Sequence, residues 1–291
     1  MPLLYLYRTL CGPTLWLAFV NSLTFSSGNA IKYADDTTAY YPLSKSATIT
    51  TTNTKSEVKF EPPDIGQTLI DECQEWAIQN KMRLNAEKTK CLNIALKKTI
   101  TMNNPLSMND QHQVESVTNA KLLGVTLDSH LSFSEHITAI RKSASKKIHG
   151  LLVLKQSGVD QTSLTHLYQS RIIPTISHAS PAWYPFITDH QKEELEKTQR
   201  LALRIIYSDE EHYCDRLAAA NITTLCETLN QHCHQYTSKI KNNPDHLLRH
   251  RLIERTVSRP KRSNSKLSDF YLKKSRTVKR SLAILCNPSY I

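Results

Sequence analysis

The stretch from Ala30 to Tyr41, AIKYADDTTAYY, places two adjacent acids between two short runs of strand-forming residues. Asp is depleted in strand interiors and favoured in turns, so the pattern predicts a β-hairpin with Asp35 and Asp36 at its tip. Mg²⁺ prefers oxygen ligands and usually takes only one or two carboxylates from a protein. Taken alone, however, the pair is more typical of an ordinary acidic turn, so the metal-binding interpretation depends on the flanking sequence.

KYADDTT at positions 32–38 resembles the catalytic box of reverse transcriptases, in the form carried by non-LTR (LINE-like) retrotransposons. The resemblance implies that Asp35 and Asp36 are catalytic and bind Mg²⁺ in a two-metal site, which assists in-line transfer of a nucleotide to a primer. It also implies that Tyr33 and Ala34 lie near the nucleotide and the primer terminus. The family's first metal-binding Asp and its fingers precede the position that is Met1 here, so we expect the site to be incomplete in this chain.

Three further segments resemble the same family, in the same order along the chain. Residues 11–23 look like the helix that begins at a Gly-Pro motif, residues 76–90 like the helix-and-strand box after the hairpin, and residues 121–128 like the strand that positions the primer end. The resemblance implies that Lys88 protonates the pyrophosphate leaving group and that Leu123 and Gly124 bind the nucleotide or primer. A solvated surface lysine and a buried sheet strand are the plainer alternatives.

The segment after residue 131 predicts helices, with Asp160 as the cap of one helix and residues 188–191, TDHQ, as a capping box that opens another. Ser132 to Glu135 reads S-x-x-E, which predicts a capping box before an apolar repeat at helical spacing. The predicted helix has a basic side, which in a polymerase thumb would lie along a template–primer duplex, although such a side is more often merely solvated. The basic residues concerned are Arg141, Lys142, Lys146 and Lys147.

The net charge of +11 is concentrated near the C-terminus. Residues 249–280 contain twelve Lys and Arg residues but only two acids, whereas the rest of the chain is close to neutral. Phosphate contacts from such a tail would give salt-dependent, sequence-independent affinity for nucleic acid, and a solvated tail without a specific partner is the alternative. The candidate contacts are Lys261, Arg262, Lys273 and Lys274.

Cysteine spacing and hydropathy exclude several classes of protein. The seven cysteines show no disulfide framework, which favours a reducing intracellular compartment, cytoplasm or nucleus, over secretion. Arg8 and Gly12-Pro13 interrupt the apolar stretch Leu3–Leu23, so we predict a buried helix there, with no membrane association and no signal peptide. The Cys and His residues at positions 214–234 lack paired zinc-ligand spacing, and we favour no zinc site.

Together these patterns predict an α+β fold, in which a partial polymerase palm is followed by a mostly helical thumb and C-terminal region. The predicted boundaries are 1–131 for the palm, 132–215 for the thumb, 216–248 for a helical region and 249–291 for a basic, partly disordered tail. The expected function is RNA-directed DNA synthesis with Mg²⁺, an RNA template, a DNA primer and deoxynucleoside triphosphates, although this chain alone should be inactive. A non-catalytic nucleic-acid-binding remnant and a non-functional translated fragment are the alternatives.

Overall fold

The computed structural model describes residues 12–26, 29–34, 36–42, 65–94, 106–108, 112–249, 252–254, 270–272, 281–286 and 288–289. Over these residues the protein is α+β, as the sequence predicts. The chain forms two compact units. One comprises the described residues of Met1–Ala120, Asp128–Leu131 and Ser275–Ile291, and the other comprises those of Lys121–Leu127 and Ser132–Lys274.

The first unit combines helices α1 (Gly12–Val20) and α2 (Ile65–Gln79) with a five-stranded sheet. In spatial order the strands are β1 (Asn29–Tyr33), β2 (Asp36–Pro42), β12 (Ser281–Cys286), β4 (Lys90–Ile94) and β7 (Glu115–Val117). Two small ribbons complete it: β3 (Arg83–Leu84) pairs with β13 (Pro288–Ser289), and β5 (Ser107–Met108) pairs with β6 (His112–Gln113).

Strand β12 lies between β2 and β4 and runs antiparallel to both. The strands β2 and β4 are therefore parallel to each other and are connected through α2, which is a split βαβ arrangement. In a split βαβ arrangement a third strand lies between the two parallel strands. Here residues 281–286 hold that position, although the sequence assigned them to the basic tail.

The core of the first unit forms where α2 and α1 cover the sheet. Leu69, Cys73 and Trp76 of α2 are buried, which confirms the helical spacing read from the sequence. Helix α1 buries only one face, because Leu15 and Leu17 are 49% and 50% exposed. The expectation of a buried helix was therefore wrong for the outward face of α1.

The second unit contains a β-hairpin tip and a helical array. The hairpin is β8 (Asn119–Leu122) with β9 (Val125–Asp128), and β10 (Leu252–Glu254) pairs with β11 (Phe270–Leu272). The helices are α3 (Ser134–Gln156), α4 (Gln161–Leu167), a π-helical segment (Tyr168–Ile172), α5 (Ile173–Ser177), α6 (Ser180–Trp183), a 3₁₀ turn (Tyr184–Phe186), α7 (Asp189–Ile206), α8 (Tyr213–Ala220) and α9 (Leu225–Asn242).

Helix α3 packs against α7 along the apolar face that the sequence predicts. The face consists of Ile137, Ile140, Ala144, Ile148 and Leu151, all of which are buried. A buried polar network extends this core from α7 toward α9. In it Gln199 accepts a hydrogen bond from Tyr168 at 2.8 Å, and the Glu196 carboxylate accepts one from the Cys226 backbone N–H at 3.0 Å.

Two of the predicted helix caps are confirmed, and one was wrong. Asp160 accepts the Ser163 N–H at 2.8 Å, and Thr188 forms the reciprocal capping box predicted for α7. The predicted box at Ser132 is absent, because α3 begins at Ser134 and its N-cap is Phe133, in the left-handed region at φ 57°. The Phe133 ring is buried, with its centroid 6.2 Å from that of Phe186, so packing of the ring fixes where the helix begins.

None of the helices in the described ranges is long and apolar enough to cross a membrane.

Candidate functional site

The acidic hairpin has a tight turn, as predicted. Tyr33 pairs with Asp36, so Ala34 and Asp35 form a two-residue loop, with Ala34 in the left-handed region at φ 52°. Asp36 is half-buried at the first position of β2, and Tyr33 is 63% exposed beside the tip. Asp35 lies outside the described residues. The backbone thus places Asp36 at the end of the sheet, beside the exposed Tyr33.

Two polar side chains, Trp16 and Lys32, connect α1 and the residues that follow it to the hairpin. The Trp16 indole N–H donates to the Ala34 carbonyl at 2.9 Å. The Lys32 ammonium donates to the Val20 carbonyl at 3.0 Å, which also accepts from the Leu23 N–H, and to the Leu23 carbonyl just beyond the end of α1. Burial lowers the pKa of Lys32 from its ordinary value. The lysine of the KYADD box therefore has a structural partner.

Lys88 lies in an exposed turn immediately before β4. Its backbone N–H donates to the Asn85 side-chain oxygen at 3.1 Å, and the buried Thr89 hydroxyl donates to the Asn85 carbonyl at 2.8 Å. These two hydrogen bonds fix the turn at residues 85–89, which leads into β4. The Lys88 side chain is exposed, so both a catalytic role and a solvated role are compatible with its surroundings.

The sheet register brings the start of β2 and the start of β4 to the same edge. Leu285 of β12 pairs with Thr38 on one side and with Lys90 on the other. Neighbouring strands are about 4.8 Å apart, so the backbones at Thr38 and Lys90 are separated by about 10 Å. Asp36 and Lys88 precede these positions by two residues each. Asp36 of the acidic hairpin and Lys88, the predicted proton donor, thus lie at the same end of the sheet, and β12 separates their strands.

The described residues do not by themselves make a metal site. They contain no group of three or more His, Cys, Asp or Glu side chains that could hold a metal ion. Asp36 is the one member of the acidic pair within the described ranges. His232, Cys233 and His234 are successive residues of α9 and point in different directions around it. We therefore derive no catalytic step through a bound metal.

The basic side of α3 is divided between internal contacts and solvent. Arg141 pairs with Glu194 at 2.7 Å, and Lys147 donates to the Arg171 carbonyl at 3.1 Å and to the Thr175 hydroxyl. Lys142 and Lys146 are exposed and lie four residues apart, so they share one outward face. The candidates Lys261, Arg262, Lys273 and Lys274 lie outside the described residues.

Leu123 and Gly124 form the turn between β8 and β9. Both have positive φ, 47° and 88°, and Leu123 is 43% exposed. Two histidines that the sequence did not indicate support this turn. His178, which directly follows α5, contacts the Leu123 carbonyl, and His136 of α3 contacts the Thr126 N–H in β9. No spacing pattern indicates them, because each imidazole reaches the turn only through the tertiary fold.

Comparison with known proteins places the chain among mobile-element polymerases. It is 28% identical over 172 residues to the RNA-directed DNA polymerase from mobile element jockey of Drosophila melanogaster, covering 57% of this chain and 18% of that protein. It is 27% identical over 185 residues to the corresponding Drosophila funebris protein, covering 58% and 18%.

The match therefore spans less than one fifth of the length of either relative. No protein-family model matches the chain, and no solved structure matches it. These two relatives and the ordered sequence boxes agree with each other. The chain is thus similar to a portion of RNA-directed DNA polymerases from mobile elements, in agreement with its resemblance to the reverse transcriptases of non-LTR, LINE-like elements.

Proposed function

We propose that this chain carries the later palm hairpin and the thumb of an RNA-directed DNA polymerase, and that it binds an RNA template paired with a DNA primer inside the cell. The observation that carries the proposal is the shared sheet edge of Asp36 and Lys88. Transfer of a deoxynucleotide requires acids near the reacting phosphate and a proton donor for the departing pyrophosphate. The two relatives named as RNA-directed DNA polymerases support the same assignment.

Each residue of the edge has a proposed role. Asp35 and Asp36 would hold Mg²⁺, which when bound neutralises charge on the phosphates. Tyr33 and Ala34 would border the incoming nucleotide, and Lys88 would donate a proton to the pyrophosphate oxygen as its bond to the α-phosphorus breaks. The primer 3′-hydroxyl forms the new bond to that phosphorus.

We propose further that the chain alone does not polymerise. Strand β12 occupies the position between β2 and β4, and Cys286 at its end pairs with Thr37 beside the acidic edge. Residues 281–286, SLAILC, contain no acid, so this strand brings no third carboxylate to the site. The test is Mg²⁺-dependent nucleotide incorporation by the purified chain on an RNA template with a DNA primer. We expect none, and incorporation that is abolished by Asp35→Ala would contradict the proposal.

The second candidate function is nucleic-acid binding without catalysis, which the outward face of Lys142 and Lys146 favours. Lys146→Gln should weaken binding to an RNA–DNA hybrid and reduce the salt slope by about 0.9, because one phosphate is no longer neutralised. Lys239→Gln, an equal charge change at an exposed position of α9, is the matched control. Equal binding by both variants would exclude α3 as the contact surface.

Testing the tail requires substitution because truncation at residue 250 would also remove β12 from the sheet. A variant that replaces Lys261, Arg262, Lys273 and Lys274 with Gln keeps β12 and removes only charge. We expect weaker binding to the RNA–DNA hybrid and a shallower salt dependence. An unchanged salt slope would assign the tail no part in binding.

A further inference from the structure

The turn between β8 and β9 has an unusual residue in a costly conformation. Two-residue hairpin loops with φ > 0 at both central positions favour Asn-Gly, because non-glycine residues with longer side chains are strained there. This turn has Leu123 at φ 47° followed by Gly124 at φ 88°. Leu123 also leaves 43% of its surface exposed. A strained, exposed leucine at a predicted primer-binding turn raises the question of what holds it in place.

His178 contacts the turn directly. Its Nε2 atom is 3.1 Å from the Leu123 carbonyl oxygen, so this nitrogen carries the proton and donates it. A Cβ atom at residue 124 would lie 2.8 Å from the same Nε2, so a larger residue would displace the ring as well as being strained at φ 88°. The next residue, Ala179, is itself in the left-handed region at φ 49°. The backbone therefore adopts unfavourable conformations on both sides of this one hydrogen bond.

His136 holds the other end of the turn. The Thr126 backbone N–H donates to His136 Nδ1 at 3.3 Å, so Nδ1 is unprotonated and the neutral ring carries its proton on Nε2. That Nε2 atom is buried and has no hydrogen-bond partner. The Trp183 ring packs edge-on against His136 with 5.4 Å between centroids, and its indole N–H donates to the His178 carbonyl at 3.0 Å. Trp183 thus connects the two histidines beneath the turn.

We propose that His136 and His178 are positioning residues that fix the Leu123–Gly124 turn, so that Leu123 contacts the primer end of a bound RNA–DNA hybrid. The inference rests on the proposed function and adds the two residues that set the geometry of the predicted primer-binding turn. Leucine offers only apolar contact, which suits the sugar or base face of a terminal nucleotide and carries no sequence preference.

The test compares two probes that bind the full chain, a hybrid with a recessed DNA primer 3′ end and a blunt hybrid of equal length. His178→Ala should reduce the preference for the recessed end by about fivefold, the effect of removing one hydrogen bond, while affinity for the blunt hybrid stays unchanged. His178→Gln should restore the preference, because the Gln amide nitrogen can donate to the Leu123 carbonyl from the position of Nε2. His166→Ala, at an exposed position of α4, is the control.

The outcomes separate the two proposals. If the wild-type chain binds neither probe, the proposed function fails. If it prefers the recessed end and His178→Ala keeps that preference, the positioning role is wrong. If His178→Ala does not fold, His178→Gln alone decides: a retained preference supports the role of the donated hydrogen bond, and loss of the preference in a folded His178→Gln protein overturns it.

Discussion

Lys32, Lys147 and Lys155 direct their ammonium groups at main-chain carbonyls near helix ends. Lys155 donates to the Ile205 carbonyl at 2.6 Å at the end of α7, and Lys147 donates to the Arg171 carbonyl at 3.1 Å. A cation at the C-terminus of a helix satisfies free carbonyls and complements the helix dipole. Part of the basic charge of this protein therefore stabilises its fold, whereas Lys146 is exposed on α3 and can bind a polyanion.

Lys32→Met should lower the free energy of unfolding of the first unit by about 1 kcal/mol, because the Leu23 carbonyl would lose the Lys32 donor and the Val20 carbonyl would keep only the Leu23 N–H. The change is measured by urea unfolding monitored through tryptophan fluorescence. Lys88→Met, at an exposed side chain, should leave the midpoint unchanged. Equal effects of both variants would show that the destabilisation comes from charge alone and not from the contact with α1.

Gly150→Ala should raise the free energy of unfolding of the second unit by about 0.5–1 kcal/mol. Gly150 lies inside α3, and an added Cβ would meet no atom within 4 Å. Alanine restricts the unfolded chain more than glycine and has the higher helix propensity. Thermal unfolding by circular dichroism measures the effect, and a lower midpoint would mean that a neighbour occupies this face in solution.

The two hairpins share a design in which a left-handed residue closes a two-residue loop. Ala34 holds this position in the acidic hairpin, where Trp16 fixes its carbonyl, and Leu123 holds it in the β8–β9 hairpin, where His178 does the same. In both cases an aromatic or imidazole N–H from a helical region fixes a carbonyl of the strained turn. The turn conformation is therefore set by contacts outside the hairpin.

Leu123→Asn should stabilise the β8–β9 hairpin by about 1 kcal/mol, because asparagine tolerates the left-handed region far better than leucine. The same substitution should weaken the preference for a recessed primer end. Urea unfolding measures the first effect and competition between the recessed and blunt hybrids measures the second. A gain in stability with no change in end preference would assign Leu123 no contact with the primer.

The stability of the second unit should fall as the pH decreases from about 8 to about 5, in part through His136. Burial lowers the pKa of His136, with smaller contributions from the neighbouring charges of His178 and Lys121. A lowered pKa means that the unfolded chain binds the proton more readily, so stability is lost as the pH falls through the ordinary histidine value. Protonation would also remove the acceptor that Thr126 uses.

His136→Asn tests this dependence, since the Asn side-chain oxygen can accept from Thr126 at the position of Nδ1 but does not titrate. The difference in unfolding midpoint between high and low pH should be smaller in the variant than in the wild-type chain. Identical pH profiles for the two proteins would exclude His136 as the titrating group.

At the scale of the whole molecule, the first unit is closed by a strand from the other end of the chain. Ser281 of β12 pairs with Pro42 and with Ile94, so the C-terminal residues complete a sheet that the N-terminal half begins. Without β12 the facing edges of β2 and β4 would carry unpaired backbone groups. The C-terminal region therefore has two separable properties, a strand that supports the sheet and a basic segment that precedes it.

Deleting residues 281–291 should destabilise the first unit by about 1 kcal/mol for each ladder hydrogen bond that is removed. Hydrogen–deuterium exchange should accelerate in peptides that cover β2 and β4, while peptides from α3 and α7 serve as internal references. The variant with four tail charges replaced by Gln should exchange like the wild-type chain. Unchanged exchange in β2 after the deletion would mean that β12 contributes nothing to the sheet.

Local patterns in the sequence were enough to predict the acidic hairpin, the buried face of α3 and the caps at Asp160 and Thr188. Each of these depends on residues close together in the chain, where strand alternation, helical spacing and capping chemistry act directly. Prediction from local pattern was wrong at Ser132, where packing of the Phe133 ring outweighs a favourable cap.

Only the tertiary structure decided which basic residues are engaged, which strand fills the sheet and what holds the Leu123 turn. His178 and Leu123 are 55 residues apart, and Arg141 and β12 likewise meet partners that are distant in the sequence. Such contacts follow from how whole elements pack, and they have no periodicity or spacing that a single sequence displays. The acidic hairpin could therefore be predicted from neighbouring residues, whereas the contacts that support the two hairpins depend on the packing of distant elements.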